Sequence, residues 1–164
     1  MTTKNFTFSK EFINNIFLYK NGELFWKKPR KKTFIGEKAG HINKKGYHQI
    51  TINKKIYPLH RIIFFMFHGY FPDCVDHIDN DKNNNKIENL RAATLTQNQY
   101  NKPISPKNTS GYKNVCLDKK TNKWFVRMRL NGKDQNFGSY FNKEIANFVA
   151  STMRHKYHKE FAKN

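Results

Sequence analysis

Apolar and polar residues change places along this chain in short bursts broken by Asn-Gly and lone Gly positions, a rhythm that predicts small sheets joined by short helices. Ser9 precedes Phe12, Ile13, Ile16 and Phe17 at helical spacing and predicts a capped helix. Asn21-Gly22 lies between Phe17-Leu18-Tyr19 and Leu24-Phe25-Trp26, so the helix gives way early to a two-residue hairpin. Gly40 and Gly46 bracket another turn, and residues 47–52 and 55–57 predict a second hairpin across Asn53-Lys54. Strand alternation there puts His48, Ile50 and Ile52 on one face. Pro58 closes that strand. Leu59 to His68 is apolar nearly all round, which predicts a buried helix stopped by Gly69. From Val75 the pattern reads strand, polar loop, a return strand through Leu90 and a helix-like run reaching Asn98.

Residues 103–110 are Pro, Ser, Asn, Lys and Thr, a linker composition. Beyond them, residues 112–117, 123–130 and 133–140 predict three antiparallel strands, the last two joined by Asn131-Gly132. In the middle strand Trp124, Val126, Met128 and Leu130 alternate with Phe125, Arg127 and Arg129, giving one core face and one cationic face. Asn142 predicts the cap of a helix over 143–158. Its stripe of Ile145, Val149, Met153 and Tyr157, beside Ala146 and Ala150, is expected to cover the sheet. The expected fold class is α+β.

Charge adds a partner. The net charge is +19 with pI about 10.0. It is unevenly spread: residues 1–58 carry a net +10, residues 59–102 net zero and residues 103–164 net +9. Two basic arms around a neutral centre suit an enzyme on a polyanion, with the arms on phosphates and central acids on a cation. Charge alone leaves DNA and RNA both open, and a solvated surface too. Lys28, Arg30 and Lys31, in the run from Lys27 to Lys32, are candidate phosphate contacts. The longest apolar run, residues 62–67, is too short to span a bilayer, and the polar start lacks a signal-peptide core. Cys74 and Cys116 lie far apart without a CxxC, so free thiols and an intracellular setting are expected.

The chemistry concentrates between Val75 and Asn101. The Asp76 carboxylate and the Asn98 amide are hard oxygen donors suited to Mg²⁺ or Mn²⁺, leaving positions for phosphate and water. His77 titrates near neutrality and can take a proton from water. Neighbours on a strand point to opposite faces, so Asp76 and His77 can share a site only if the strand ends or twists there. Residues 80–85 read as turn chemistry. His60 reads equally as site support or as a packed residue.

Asp76, His77, Asn89 and Asn98, with Leu59-His60-Arg61 upstream and Glu88-Asn89-Leu90-Arg91, closely resemble the HNH endonucleases of phages and mobile introns. The resemblance implies a ββα-metal finger in which Asp76 and Asn98 bind one divalent cation. It further implies that His77 is the general base and that Asn89 ties down the loop, with products bearing 5′-phosphate and 3′-hydroxyl. SGYKNV, KWFVRMRLNGK, FGSYF and the Ala-bearing helix resemble the AP2 DNA-binding domain. That resemblance implies a sheet entering a major groove, with Lys113, Arg127, Arg129 and Asn136 at base- or phosphate-contacting positions. Cys116 stands where that family usually has Arg.

The organisation expected is a basic β-rich segment over 1–58, an HNH module over 59–102, a linker over 103–110 and an AP2-like domain over 111–164. The expected activity is metal-dependent cleavage of double-stranded DNA. One site per chain suggests nicking by a monomer unless dimerisation supplies a second. The rivals are a DNA-binding regulator with an inert finger and a nonspecific nuclease; RNA is a weaker substrate candidate. A phage homing role is implied by the two resemblances alone.

Overall fold

In the computed structural model, which describes residues 8–29 and 33–163, the Ser9 side chain accepts the Phe12 N–H at 3.1 Å and opens helix α1 (Lys10–Ile16). The helix stops because Phe17 turns extended and drops wholly into the core. Strands β1 (Phe17–Lys20) and β2 (Glu23–Trp26) then pair antiparallel, Phe17 opposite Trp26 and Lys20 opposite Glu23. Asn21 and Gly22 both have positive φ, 50° and 84°, the two left-handed residues a tight hairpin turn needs. Strands β3 (His41–Ile42), β4 (His48–Ile52) and β5 (Lys55–Pro58) form a three-stranded sheet in that order.

Helix α2 (Leu59–His68) ends where the left-handed Gly69, φ 78°, donates its N–H to the Phe65 carbonyl. Seven of its residues, from Leu59 to Met66, are buried, so it is a core element rather than a surface one. It packs with Ile13, Phe17, Leu24, Ile50 and Ile52 from the hairpins and with Val75 and Leu90 from the next pair of strands, β6 (Cys74–His77) and β7 (Leu90–Ala93). Each fully buried Ile or Leu of this kind contributes about 1.5–3 kcal/mol. One core therefore serves both the basic N-terminal hairpins and the strands that bear Asp76 and His77.

The chain divides into two compact units, Met1–Leu95 and Thr96–Asn164. Helix α3 (Leu95–Tyr100) begins at that division. In the second unit β8 (Val115–Asp118), β9 (Lys123–Leu130) and β10 (Lys133–Tyr140) form an antiparallel sheet with β9 in the middle, followed by α4 (Lys143–His158). The first of these strands starts later than its sequence suggests. Asn114 takes φ 67°, and Ser110 Oγ and the Asn108 side chain both bond the Tyr112 carbonyl, which holds residues 108–114 in turns. The α+β layout is as expected, and no helix among the described residues is long and apolar enough to cross a membrane.

The stripe of α4 is corrected at its two ends only: Val149 and Met153 pack against the core of the sheet beside Ala146 and Ala150, as expected. Ile145 and Tyr157 are 53% and 41% exposed, and the buried positions are Ala146, Ala150, Arg154 and His158. The deepest line of the helix runs through the residues that follow each stripe position, so the stripe lies at the margin of the contact. Val115, Val126, Met128 and Leu130 already fill the sheet face, so the closest approach falls to the two alanines, and every fourth residue after them follows inward. Arg154 thereby becomes a core residue whose Nη1 donates to the Lys113 carbonyl at 2.7 Å.

Candidate active site

Strand β6 brings two polar side chains into the interior in succession: Asp76 is 5% and His77 7% exposed. Such neighbours normally face opposite sides, and regular pairing runs through both, ending with His77 opposite Leu90. Asp76 lies opposite Arg91 on β7, and Arg91 Nε and Nη2 each stand 2.9 Å from Asp76 Oδ2. Two charge-assisted contacts fix the carboxylate in place. Arg91 entered the sequence reading only as the last residue of the Glu88-Asn89-Leu90-Arg91 string, with no role of its own.

His77 Nε2 lies 2.9 Å from Asn85 Oδ1. An amide oxygen only accepts, so this contact calls for a proton on His77 Nε2, and a neutral ring so arranged has its lone pair on Nδ1. The segment before Asn85 is turn chemistry as read, with the Asp81 N–H on Asp79 Oδ1 and the Asn83 N–H on Asp81 Oδ1, but Asn85 is itself 2% exposed and adds the contact with His77. Nothing in a run of Asn and Asp distinguishes it. Only burial does, and burial comes from the fold.

Asn89 holds the loop between the two strands. Its Nδ2 donates to Asp79 Oδ1 at 2.9 Å and to the Asn84 carbonyl at 2.8 Å, and its Oδ1 accepts the Asp79 N–H at 3.1 Å. Burial would raise the Asp79 carboxyl pKa. The donors Asn84, Asn89 and the Asp81 N–H outweigh it and hold the group below its ordinary range. Arg61 ties the preceding turn, donating to the Pro72 and Asp73 carbonyls at 2.8 and 2.9 Å.

His60 meets His77 edge to face, ring centroids 4.9 Å apart, and Tyr47 lies on the other side of His60 at 6.0 Å. Burial first, then the nearby His77 and Arg61, push the His60 pKa down to about 3. It is therefore a neutral packing partner of His77. Its titration has a stability consequence. The unfolded chain takes a proton on His60 near pH 6.5 and the folded one only near 3, so stability present above pH 6.5 is lost as pH falls through that window. Thermal melts should show a lower midpoint at pH 5 than at pH 7, with His60→Phe flattening part of the difference.

The second unit carries the remaining candidates. Asn98 is half-buried on α3. Arg127 and Arg129 are exposed on β9, with Arg127 directly opposite the exposed Asn136 on β10. Asp134 lies opposite Arg129 and tempers the charge of that face. Lys113 is differently occupied: its Nζ donates to the Tyr100 and Lys102 carbonyls, both at 2.7 Å. Burial, with Arg154 and Lys163 nearby, lowers its pKa to about 8. His158 stacks on Tyr100 at 3.6 Å, and burial with Lys113 and Arg154 lowers its pKa to about 4. In the first unit Lys28 is exposed, and Arg30 and Lys31 lie outside the described residues.

Among the described residues no cluster of three or more His, Cys, Asp or Glu side chains could hold a metal ion. Residues 57–100 match the HNH endonuclease family, a span that contains Asp76, His77, Asn89 and Asn98. Protein 3.8 of Escherichia phage T7 is 33% identical over 95 residues, which cover 58% of this chain and 75% of that protein. No solved structure matches the chain. The chain therefore belongs to the same family as phage T7 protein 3.8 and carries an HNH endonuclease domain at residues 57–100.

Proposed function

We propose that the chain is a metal-dependent endonuclease of double-stranded DNA, with His77 as general base and Asp76 and Asn98 as the protein ligands of one divalent cation. The observation that carries this reading is the buried pair at the end of β6: a carboxylate oriented by Arg91, followed directly by an imidazole whose Nε2 stands 2.9 Å from the Asn85 oxygen.

The donor set fits a hard cation. Asp76 is an ionisable carboxylate already oriented by a guanidinium, Asn98 offers an amide oxygen, and oxygen donors of this kind suit Mg²⁺ or Mn²⁺. When bound, such an ion would offset charge on the scissile phosphate and the departing oxygen. His77 accepts the proton of the attacking water at Nδ1, and the Nε2–H stays on Asn85 Oδ1 as the ring becomes cationic. The water oxygen bonds to phosphorus, the bond to the 3′ oxygen breaks, and that oxygen takes a proton from solvent, giving 5′-phosphate and 3′-hydroxyl ends. Asn89 keeps the loop closed around this arrangement.

Supercoiled plasmid with Mg²⁺ should be converted to nicked or linear form, and excess chelator should stop the conversion. A chain that binds plasmid without cutting it under any divalent ion would instead be a DNA-binding regulator. Sequencing the ends tests the homing role, since cuts scattered over a long duplex would mark a nonspecific nuclease.

The open face of the C-terminal sheet is the reading surface in this proposal, AP2-like in its three strands and helix. Arg127, Arg129 and Asn136 are its contacts, and Lys28 with the basic run around it adds a second contact with phosphates. Replacing Arg127 and Arg129 with Gln should weaken duplex binding and reduce the salt slope by about 0.9 for each phosphate that is no longer neutralised. Turnover at saturating DNA should stay near wild type. Filter binding across a salt series measures the first and plasmid cleavage the second.

A further inference from the structure

The turn of the N-terminal hairpin ends against the loop that orients His77. A Cβ built on Gly22 would stand 2.9 Å from the backbone nitrogen of Lys86 and 3.0 Å from the carbonyl carbon of Asn85. That space is bounded by backbone, which cannot swing aside as a flexible side chain does. Three residues before Gly22, the Tyr19 hydroxyl accepts the Ile87 N–H at 3.1 Å. The Tyr19 ring is set edge-on to Phe67 of α2, centroids 5.0 Å apart. The hairpin thus meets Asn85, Lys86 and Ile87 in succession, and Asn85 Oδ1 meets His77 Nε2 at 2.9 Å.

We propose that hairpin β1–β2, which lies outside the HNH-matched span, is a positioning device for the nuclease centre: Gly22 and Tyr19 set the backbone of residues 85–87 so that Asn85 fixes the orientation and tautomer of His77. Tyr19, Gly22 and Asn85 are positioning residues that act through the imidazole. The inference rests on His77 being the general base. Contact with Gly22 sets how closely the loop approaches the hairpin. The Tyr19 bond sets its register, since Ile87 N–H has to reach one particular hydroxyl. The Asn85 amide converts that placement into ring geometry, because a ring whose Nε2–H has a fixed acceptor presents Nδ1 in one direction. A displacement near 1 Å at a reacting group costs about 100-fold in rate, so a backbone shift of a few tenths of an ångström is already readable.

The test uses the full chain, with two readouts for each variant. One is kcat and KM for plasmid cleavage with Mg²⁺. The other is the nitrogen NMR signature of the His77 ring, assigned by its loss in H77A, which reports the tautomer whether or not DNA is cut. Wild type should show the Nε2–H tautomer. Asn85→Ala should give a tautomer-averaged ring and a kcat lower by roughly 10- to 100-fold, with KM for duplex DNA within about twofold. Gly22→Ala should do the same to a smaller degree. Because Ala at φ 84° is strained and can unfold the hairpin, Tyr19→Phe is the second variant. It keeps the ring against Phe67, loses only the hydroxyl, and should lower kcat while the chain stays folded with a melting temperature reduced by no more than the loss of one part-buried hydrogen bond. The double variant Y19F/N85A should be no slower than N85A, since both act through one ring. Wild-type kcat in N85A, or wild-type ring spectra in both Y19F and G22A, would overturn the proposal. A wild-type chain that cuts no DNA would overturn the nuclease reading instead, and the ring spectra would still decide the positioning.

Discussion

His77→Ala is expected to lower the rate of DNA cleavage by about 10² to 10⁴-fold, the range a positioned general base contributes, while duplex affinity without added metal stays near wild type. The reasoning starts from the ring's surroundings. Nε2 is committed to Asn85, His60 packs edge-on at 4.9 Å, and the Asp76 carboxylate is one residue away. None of these neighbours can replace a lost base: Asn85 is an amide, His60 is neutral with a pKa of about 3, and Asp76 is paired with Arg91. Removing the ring also strands the buried Asn85 oxygen, at a cost of about 1–3 kcal/mol. Cleavage must therefore be measured well below the melting transition. His77→Gln, which keeps an amide N–H for Asn85 but has no base, should be as inactive as the Ala variant and closer to wild type in stability. Full cleavage by either variant would remove His77 from the chemistry.

Local pattern carried much of this arrangement. Asn21-Gly22, Asn53-Lys54 and Asn131-Gly132 marked their turns because each places left-handed residues where a tight hairpin needs them. Gly69 marked the end of α2 for a similar reason. The HNH resemblance was legible because Asp76, His77, Asn89 and Asn98 stand together in the span that the family matches. Three features were not legible, and each depends on contacts distant in sequence. Asn85 differs from Asn83 and Asn84 only in being buried against His77. Arg91 becomes part of the site only through the register that sets it opposite Asp76. Helix α4 turns Ala146 and Ala150 most deeply to the sheet, with Val149 and Met153 packed beside them and Ile145 left exposed, a choice made by the volume already occupied on β8 and β9. The core shared by α2, the N-terminal hairpins and the strands of the finger is of the same kind, since no local period announces which faces meet.

Asp76→Ala should abolish metal-dependent cleavage and also destabilise the first unit, and the two effects can be separated. The carboxylate is 5% exposed and its guanidinium partner 17%, so the Ala variant leaves Arg91 largely out of water with the facing carboxylate gone. Breaking a fully buried pair costs about 3–5 kcal/mol. The residual exposure of Arg91 places this one at or below the lower end of that range. Urea unfolding of D76A should show that loss, and Asp76→Ala combined with Arg91→Met should recover most of it, because the buried positive charge is then gone and an unbranched apolar chain fills its path. Cleavage should not return in the double variant, since restoring the packing does not restore an oxygen donor. Arg91→Met alone should retain partial cleavage with a raised Mg²⁺ requirement, because the carboxylate is still present but no longer held. Recovery of cleavage together with stability in the double variant would mean that Asp76 serves the fold and that the cation is held elsewhere.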